Sequence, residues 1–280
     1  MVVKILTKIY VLADDYAGYE SSFPGQHGAS YFIEHDGISL LFDTGQNGRL
    51  ILEVMNKLGL SPKSIDYIFL SHNHYDHTGG LLEILKAIGK KVPIIAHPSI
   101  FRETVVLKPK LRHIGIPFSM DEVEKYGRLI LVNEPFEISE NIFSTGEIKE
   151  RLDFERQSLE VYAIVNGKLV EDPILDDMSL VINRADGLIV ISGCSHAGIV
   201  SIVKHSMKIT GNNKVRAIIG GLHLISASNE RIEKTVNELS KLGVEEVFAG
   251  HCTGFRAEAK FYDAFKEKFH KLHAGMKILI

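Results

Sequence analysis

Apolar residues recur along this chain in short blocks separated by glycine or by charged pairs, and the blocks read as strands or as amphipathic helices. Residues 2–12 predict a strand, and the polar, glycine-containing stretch 13–28 a loop. Residues 29–34 and 38–42 predict a hairpin around Asp36-Gly37. Helical spacing over 48–58 ends at Gly59, a helix-stop signal. Then come a buried strand at 66–70, a helix at 78–88 stopped by Gly89, and a strand at 92–96 that runs into His97-Pro98. The second half repeats the style. Strands are expected at 128–132, 141–144 and 159–165, and a hairpin at 178–183 and 187–192. A helix at 198–209, a strand at 215–219, an amphipathic helix at 229–242, a strand at 245–249 and a last helix at 256–270 complete the pattern. Strands alternating with helices indicate a layered α/β fold. The stretch 98–127 breaks the rhythm and reads as an irregular insertion into a single domain spanning 1–280.

Composition narrows the class. Of 280 residues, 45% are hydrophobic and 24% charged, which suits a globular chain with a large core. A net charge of −3 gives no overall basic field for nucleic acid. No apolar run is long enough to span a bilayer, and the first residues are interrupted too soon by Thr7 and Lys8 to read as a signal peptide. The two cysteines, Cys194 and Cys252, do not make a disulfide framework, so the cytoplasm is expected. The expected partner is a small-molecule substrate, with neither nucleic acid nor membrane; the sequence leaves the oligomeric state open.

The chemistry concentrates in residues 71–80, Ser-His-Asn-His-Tyr-Asp-His-Thr-Gly-Gly. Three imidazoles and one carboxylate fall within six positions, directly after an apolar strand. Residues at i and i+2 of an extended segment project to one side, so His72 and His74 suit one divalent ion. Beyond the turn, Asp76 and His77 suit a second ion nearby. The spacing does not match a zinc-protease helix, because the histidines are not i, i+4 around a glutamate, and it predicts a loop site. A surface loop with incidental histidines is the alternative. Lys108, Lys110 and Arg112 read either as a solvated face or as part of an anion-binding lid over a phosphorylated or carboxylated substrate.

The 72–77 pattern, His-x-His-x-Asp-His, resembles the signature of the metallo-β-lactamase superfamily. Residues 42–45 (Phe-Asp-Thr-Gly) resemble its first motif, and residues 188–194 (Leu-Ile-Val-Ile-Ser-Gly-Cys) and 247–251 (Val-Phe-Ala-Gly-His) match later ones. The resemblance implies an αββα sandwich. It places His72 and His74 on one metal, Asp76, His77 and His251 on the other, and Asp43 behind them as a carboxylate that steadies a ligand imidazole. Two departures stand out. Asp176-Asp177 occupies the turn where a third histidine is expected, and Cys194 stands where a bridging aspartate is expected. His196 is the first substitute ligand, with Asp177 second and Cys194 a further candidate. Two divalent ions are implied; zinc suits the His-rich set best, and manganese or iron suits the carboxylate.

The Gly-Cys-Ser-His, Gly-Gly-Leu-His and Gly-His-Cys-Thr sequences at 193–196, 220–223 and 250–253 are similar to a branch that includes archaeal 7,8-dihydropterin-6-methyl-4-(β-D-ribofuranosyl)-aminobenzene-5′-phosphate synthases. Three readings follow. The first is a metal-dependent hydrolase acting on a small anionic substrate, with Asp76 orienting the attacking water and His223 protonating the leaving group. The second is a dihydropteroate synthase-like transferase of methanopterin-type pterin biosynthesis. The third is a non-catalytic metal- or ligand-binding protein. His27 and His97 are weaker candidates, and His35, His205, His270 and His273 are expected at the surface.

Overall fold

The computed structural model describes residues 6–156 and 160–280. The first residues of the strand expected at 2–12, and Leu159 at the start of the 159–165 strand, lie outside them. The chain divides into two compact units. The first comprises Met1–Thr104, His113–Leu131 and His273–Ile280; the second comprises Val105–Arg112 and Val132–Leu272.

The first unit carries a seven-stranded mixed sheet, in spatial order Lys277–Leu279, Lys8–Ala13, Ser30–His35, Ile38–Phe42, Tyr67–Phe69, Pro93–Ala96 and Arg128–Leu131. The expected hairpin forms with Asp36 and Gly37 at φ 47° and 78°, the left-handed pair that a two-residue turn requires. From Ile38–Phe42 onward the strands are parallel. Helix Gly48–Lys57 starts at Asn47, whose side chain accepts from the Arg49 and Leu50 N–H groups. Helix Leu81–Ile88 ends at Gly89 in the left-handed conformation. Their apolar faces (Ile51, Val54, Met55; Leu81, Ile84, Leu85) join Leu12, Phe32, Leu41, Ile68 and Ile94 in one buried cluster.

The second unit has its own seven-stranded mixed sheet: Phe269–Lys271, Glu246–Gly250, Val215–Gly221, Gly187–Ser192, Leu180–Arg184, Ile142–Ser144 and Phe136–Ser139. Gly187–Ser192, Val215–Gly221, Glu246–Gly250 and Phe269–Lys271 run parallel. Helices Ile199–Thr210, Asn229–Lys241 and Phe255–Phe265 contribute Val200, Val203, Ile232, Val236 and Phe261 to a second buried cluster with Val190, Ile218 and Val247. The layered α/β class expected from the sequence is therefore present in each unit.

Four expectations differ from the structure. The last helix ends at Phe265, not His270: Lys266 sits at φ 51°, and Phe269–Lys271 joins the sheet edge beside Glu246–Gly250. Phe261, Phe265 and Phe269 imitate helical i, i+4 spacing, but the last ring is delivered by a strand and stacks on Phe261. The helix expected at 78–88 is two pieces, Tyr75–Thr78 and Leu81–Ile88, interrupted at Gly79-Gly80. His35 is buried rather than exposed, with its Nδ1 2.9 Å from Thr7 Oγ1. The stretch expected to be irregular holds strands Thr104–Val106 and Arg112–His113 and a short helix, Met120–Glu124, begun by a Ser119–Glu122 capping box.

One glycine supports the second sheet in a way that can be tested. Gly220 has φ 134°, and a Cβ there would lie 1.9 Å from the Ser192 carbonyl oxygen on the neighbouring strand. Gly220→Ala combines backbone strain with overpacking, a cost of about 2–4 kcal/mol. A melting temperature at least roughly 4 °C below wild type is expected in a thermal scan; an unchanged midpoint would contradict the close approach.

Candidate metal centre

In both units the candidate residues follow the carboxyl ends of parallel strands, where side chains of successive loops converge in α/β sheets. In the first unit Asp43 follows Ile38–Phe42, and Ser71 and His72 follow Tyr67–Phe69. The Asp43 N–H donates to the Phe69 carbonyl at 2.8 Å, which holds the two loops together. Asp43 has φ 52°, a left-handed conformation that turns its carboxylate back toward residue 71.

That carboxylate organises the cluster. Asp43 Oδ1 accepts from the Ser71 N–H at 2.8 Å. Its Oδ2 accepts from the Ser71 hydroxyl at 2.7 Å and stands 2.7 Å from His77 Nδ1. Ser71 Oγ in turn lies 2.9 Å from His72 Nδ1. One buried carboxylate therefore orients His77 directly and His72 through Ser71, and directs the opposite ring nitrogens elsewhere.

Those opposite nitrogens face other atoms able to bind a metal. His72 Nε2 is 3.1 Å from His74 Nδ1, and His77 Nε2 is 3.3 Å from Asp76 Oδ2. A tetrahedral ion with metal–ligand bonds of ~2.0–2.1 Å sets its ligand atoms about 3.3 Å apart. Both pairs have the edge length of such a polyhedron, and the donor set of imidazole and carboxylate suits zinc, manganese or iron. The cluster fits metal. Asp76 and His77 sit on the Tyr75–Thr78 helix rather than on the loop expected from the sequence. Gly28 permits this placement: at φ 116° it lies against Asp76, and a Cβ would be 1.9 Å from the Asp76 carbonyl oxygen. His27, a weak candidate by sequence, stands with Nε2 3.6 Å from Asp76 Oδ2 and Nδ1 2.8 Å from Asp15 Oδ1.

Without an ion the two sides carry different charge. Burial holds His72 well below its ordinary pKa, and neighbouring His77 and His74 add to the effect. Burial also opposes charge on His77, but Asp76 and Asp43 outweigh it and push His77 up to about 9. A proton on His77 would therefore compete below that pH with any ion that uses Nε2 as a ligand. Because the His77 pKa is raised, metal affinity is expected to increase about tenfold per pH unit between roughly pH 7 and 9 and then flatten. Competition titration with zinc across that range, in a non-coordinating buffer, measures the slope; a flat profile would contradict the assignment.

The second unit collects a further set. Cys194, Ser195 and His196 follow Gly187–Ser192, His223 follows Val215–Gly221, and His251 and Cys252 follow Glu246–Gly250. Ser195, His223 and His251 all have positive φ, at 58°, 47° and 49°. Strained backbone of this kind persists where surrounding structure over-determines it and often marks functional sites. The His196 and His223 rings are 4.3 Å apart between centroids. Asp177 Oδ2 accepts from the Ala197 N–H at 2.7 Å, and burial pushes Asp177 up to about 7 despite that bond. Candidate ligand atoms of Cys194, His223 and Cys252 lie within 4.8 Å of one another. Burial raises the Cys252 thiol, but its hydrogen bond with Cys194 and the neighbouring His251 and His223 hold it well below the usual thiol range.

Lys108, Lys110 and Arg112 are exposed, and Lys108 pairs with Glu160 at 2.7 Å. Ser71 is a site residue that no sequence pattern announces, and Cys252 reads from the sequence as either a packed small residue or a metal or redox group.

The family model for the metallo-beta-lactamase superfamily matches residues 24–251. The chain belongs to the metallo-beta-lactamase superfamily. It is 49% identical, over 96% of its own length and 95% of the relative's, to 7,8-dihydropterin-6-methyl-4-(beta-D-ribofuranosyl)-aminobenzene-5'-phosphate synthase of Methanocaldococcus jannaschii. Among solved structures it is similar to a metal-dependent hydrolase of the beta-lactamase superfamily, with TM-score 0.83 and 30% identity over 98% of this chain and 99% of the other. A likeness to the metallo-beta-lactamase fold protein YhfI from Bacillus subtilis, with TM-score 0.61 and 12% identity over 99% and 100% of the two chains, concerns the fold alone. The synthase relative and the superfamily match place the chain among enzymes. Among the described residues no helix is long and apolar enough to cross a membrane.

Proposed function

We propose that this chain is a metal-dependent synthase that joins a dihydropterin to a ribofuranosylaminobenzene phosphate. This is the second of the three readings open from the sequence. The observation that carries it is 49% identity to a synthase named for that product, over nearly the full length of both chains. The cluster around Asp43 supports the metal dependence through its fixed imidazoles and its two ligand-spaced pairs.

In the proposed reaction the amine nitrogen of the aminobenzene attacks the 6-methylene carbon of a dihydropterin pyrophosphate. A C–N bond forms, the C–O bond to pyrophosphate breaks, and the amine proton is lost. His72, His74, Asp76 and His77, together with His196 and His251, are the proposed ligands of two divalent ions, with zinc the proposed metal; Asp177 and Cys194 are reserve ligands. Bound ions would supply Lewis-acid stabilisation of the charge that develops on the departing pyrophosphate. Asp43 and Ser71 hold the imidazoles in one tautomer. His223, whose buried Nδ1 has no hydrogen-bond partner among the described residues, is the proposed carrier of the amine proton. The exposed cations Lys108, Lys110 and Arg112 are the proposed contacts for the acceptor's phosphate. The enzyme would act in the cytoplasm on these small molecules.

A specific observation favours the hydrolase as second reading: the 30% identical metal-dependent hydrolase with TM-score 0.83. One assay separates the two. The purified chain is incubated with 6-hydroxymethyl-7,8-dihydropterin pyrophosphate and 4-(β-D-ribofuranosyl)aminobenzene 5′-phosphate, and products are read by mass spectrometry. Condensed product with equimolar pyrophosphate supports the synthase. Pterin alcohol and pyrophosphate without condensed product assign a hydrolase instead, and no turnover with metal supplied rejects both.

A further inference from the structure

The second unit extends a hairpin that the proposed chemistry does not use. Strands Val161–Val165 and Lys168–Glu171 pair antiparallel around Asn166-Gly167, which takes φ 49° and 74° as a two-residue turn requires. Among the described residues Lys168–Glu171 is the terminal strand of its sheet, and it is exposed along its whole length. Its two central side chains are apolar: Leu169 is 52% and Val170 42% exposed. Ile164 and Val165 on the paired strand are 39% and 49% exposed. Successive residues of a strand point to opposite faces, so apolar surface is exposed on both sides of this edge. Soluble proteins blunt such edges with central charges, proline or bulges, because a row of free N–H and C=O groups recruits another strand. This edge instead keeps its charges at its two ends, with opposite signs.

Lys-Leu-Val-Glu is its own antiparallel complement. A twofold axis between Leu169 and Val170 sets Lys168 opposite Glu171 of a second copy and Leu169 opposite Val170 of that copy. Parallel pairing would instead set Lys168 against Lys168 and Glu171 against Glu171. We propose that the Lys168–Glu171 edge pairs antiparallel with the same strand of a second copy of this chain, forming a twofold dimer through a continuous sheet. The contact is isologous, so each charge pair occurs twice and the interface closes on itself. Opposite charges directly across a strand pair stabilise it, and like charges destabilise it.

Charge reversal tests the register. Sedimentation velocity over a concentration series is run on wild type, Lys168→Glu, Glu171→Lys and the double variant, with far-UV circular dichroism confirming that each is folded. Wild type is expected to dimerise. Each single reversal places like charges opposite one another twice and is expected to weaken the dimer at least about tenfold. The double variant restores opposite charges and is expected to return to within about threefold of wild type. A wild type that stays monomeric up to its solubility limit overturns the proposal. So does a dimer indifferent to the single reversals, or a double variant that fails to recover.

Discussion

Replacing His72 and His74 together by alanine is expected to abolish turnover, by about a thousandfold or more, while the protein stays folded. The two rings bring ligand nitrogens within 3.1 Å of each other, and burial keeps His72 neutral and available to an ion. Both rings are buried, and neither belongs to the apolar cluster that holds the unit together, so the loss falls on the site. Lewis-acid stabilisation contributes several kcal/mol to reactions of this kind, and each 1.36 kcal/mol corresponds to tenfold in rate. Steady-state assays with added zinc, with bound metal measured on the same sample, test this. Undiminished turnover in the double variant would show that these imidazoles do not hold a catalytic ion.

Asp43→Asn is expected to lower metal affinity or activity about 10–100-fold without removing any proposed ligand. The carboxylate accepts three hydrogen bonds: two from Ser71 and one at His77 Nδ1. An asparagine offers one acceptor oxygen and must present its NH2 group to at least one donor. His77 then loses the partner that fixes its tautomer, and Ser71 loses its hold on His72. Asparagine also removes one of the two charges that push the His77 pKa up. The variant should therefore show a shallower dependence of metal affinity on pH than wild type, shifted to lower pH. A general loss of stability would not move that profile. Zinc titration at several pH values distinguishes the two outcomes, and wild-type affinity with a wild-type profile would contradict a positioning role for Asp43.

Some of this cluster was legible because the information is local. Residues 72 and 74 of an extended segment must share a side, so their proximity follows from spacing alone. Asp43 was recognisable from its motif, yet the positive φ that aims it at Ser71 and His77 was not, because a non-glycine residue keeps that conformation only where its surroundings hold it. The same holds for the left-handed backbone of Ser195, His223 and His251. The hairpins and most helices could be read from turn residues, caps and glycine stops. The strand at Phe269–Lys271 could not, because its ladder partner lies about twenty residues earlier and its phenylalanines mimic a helical face. The buried position of His35 depended on Thr7, a partner that no local pattern announces. Ser71 looked like a linker residue, and only the distances to Asp43 and His72 give it a role.

Metal analysis of the chain purified without chelator, by inductively coupled plasma mass spectrometry, tests the metal proposal most directly. About two divalent ions per chain are expected for wild type after exposure to zinc and removal of free metal, as a pair of adjacent sites requires. His77→Ala and His251→Ala should each retain clearly less. A wild-type chain that retains no divalent ion under these conditions, or variants that retain as much as wild type, would contradict it.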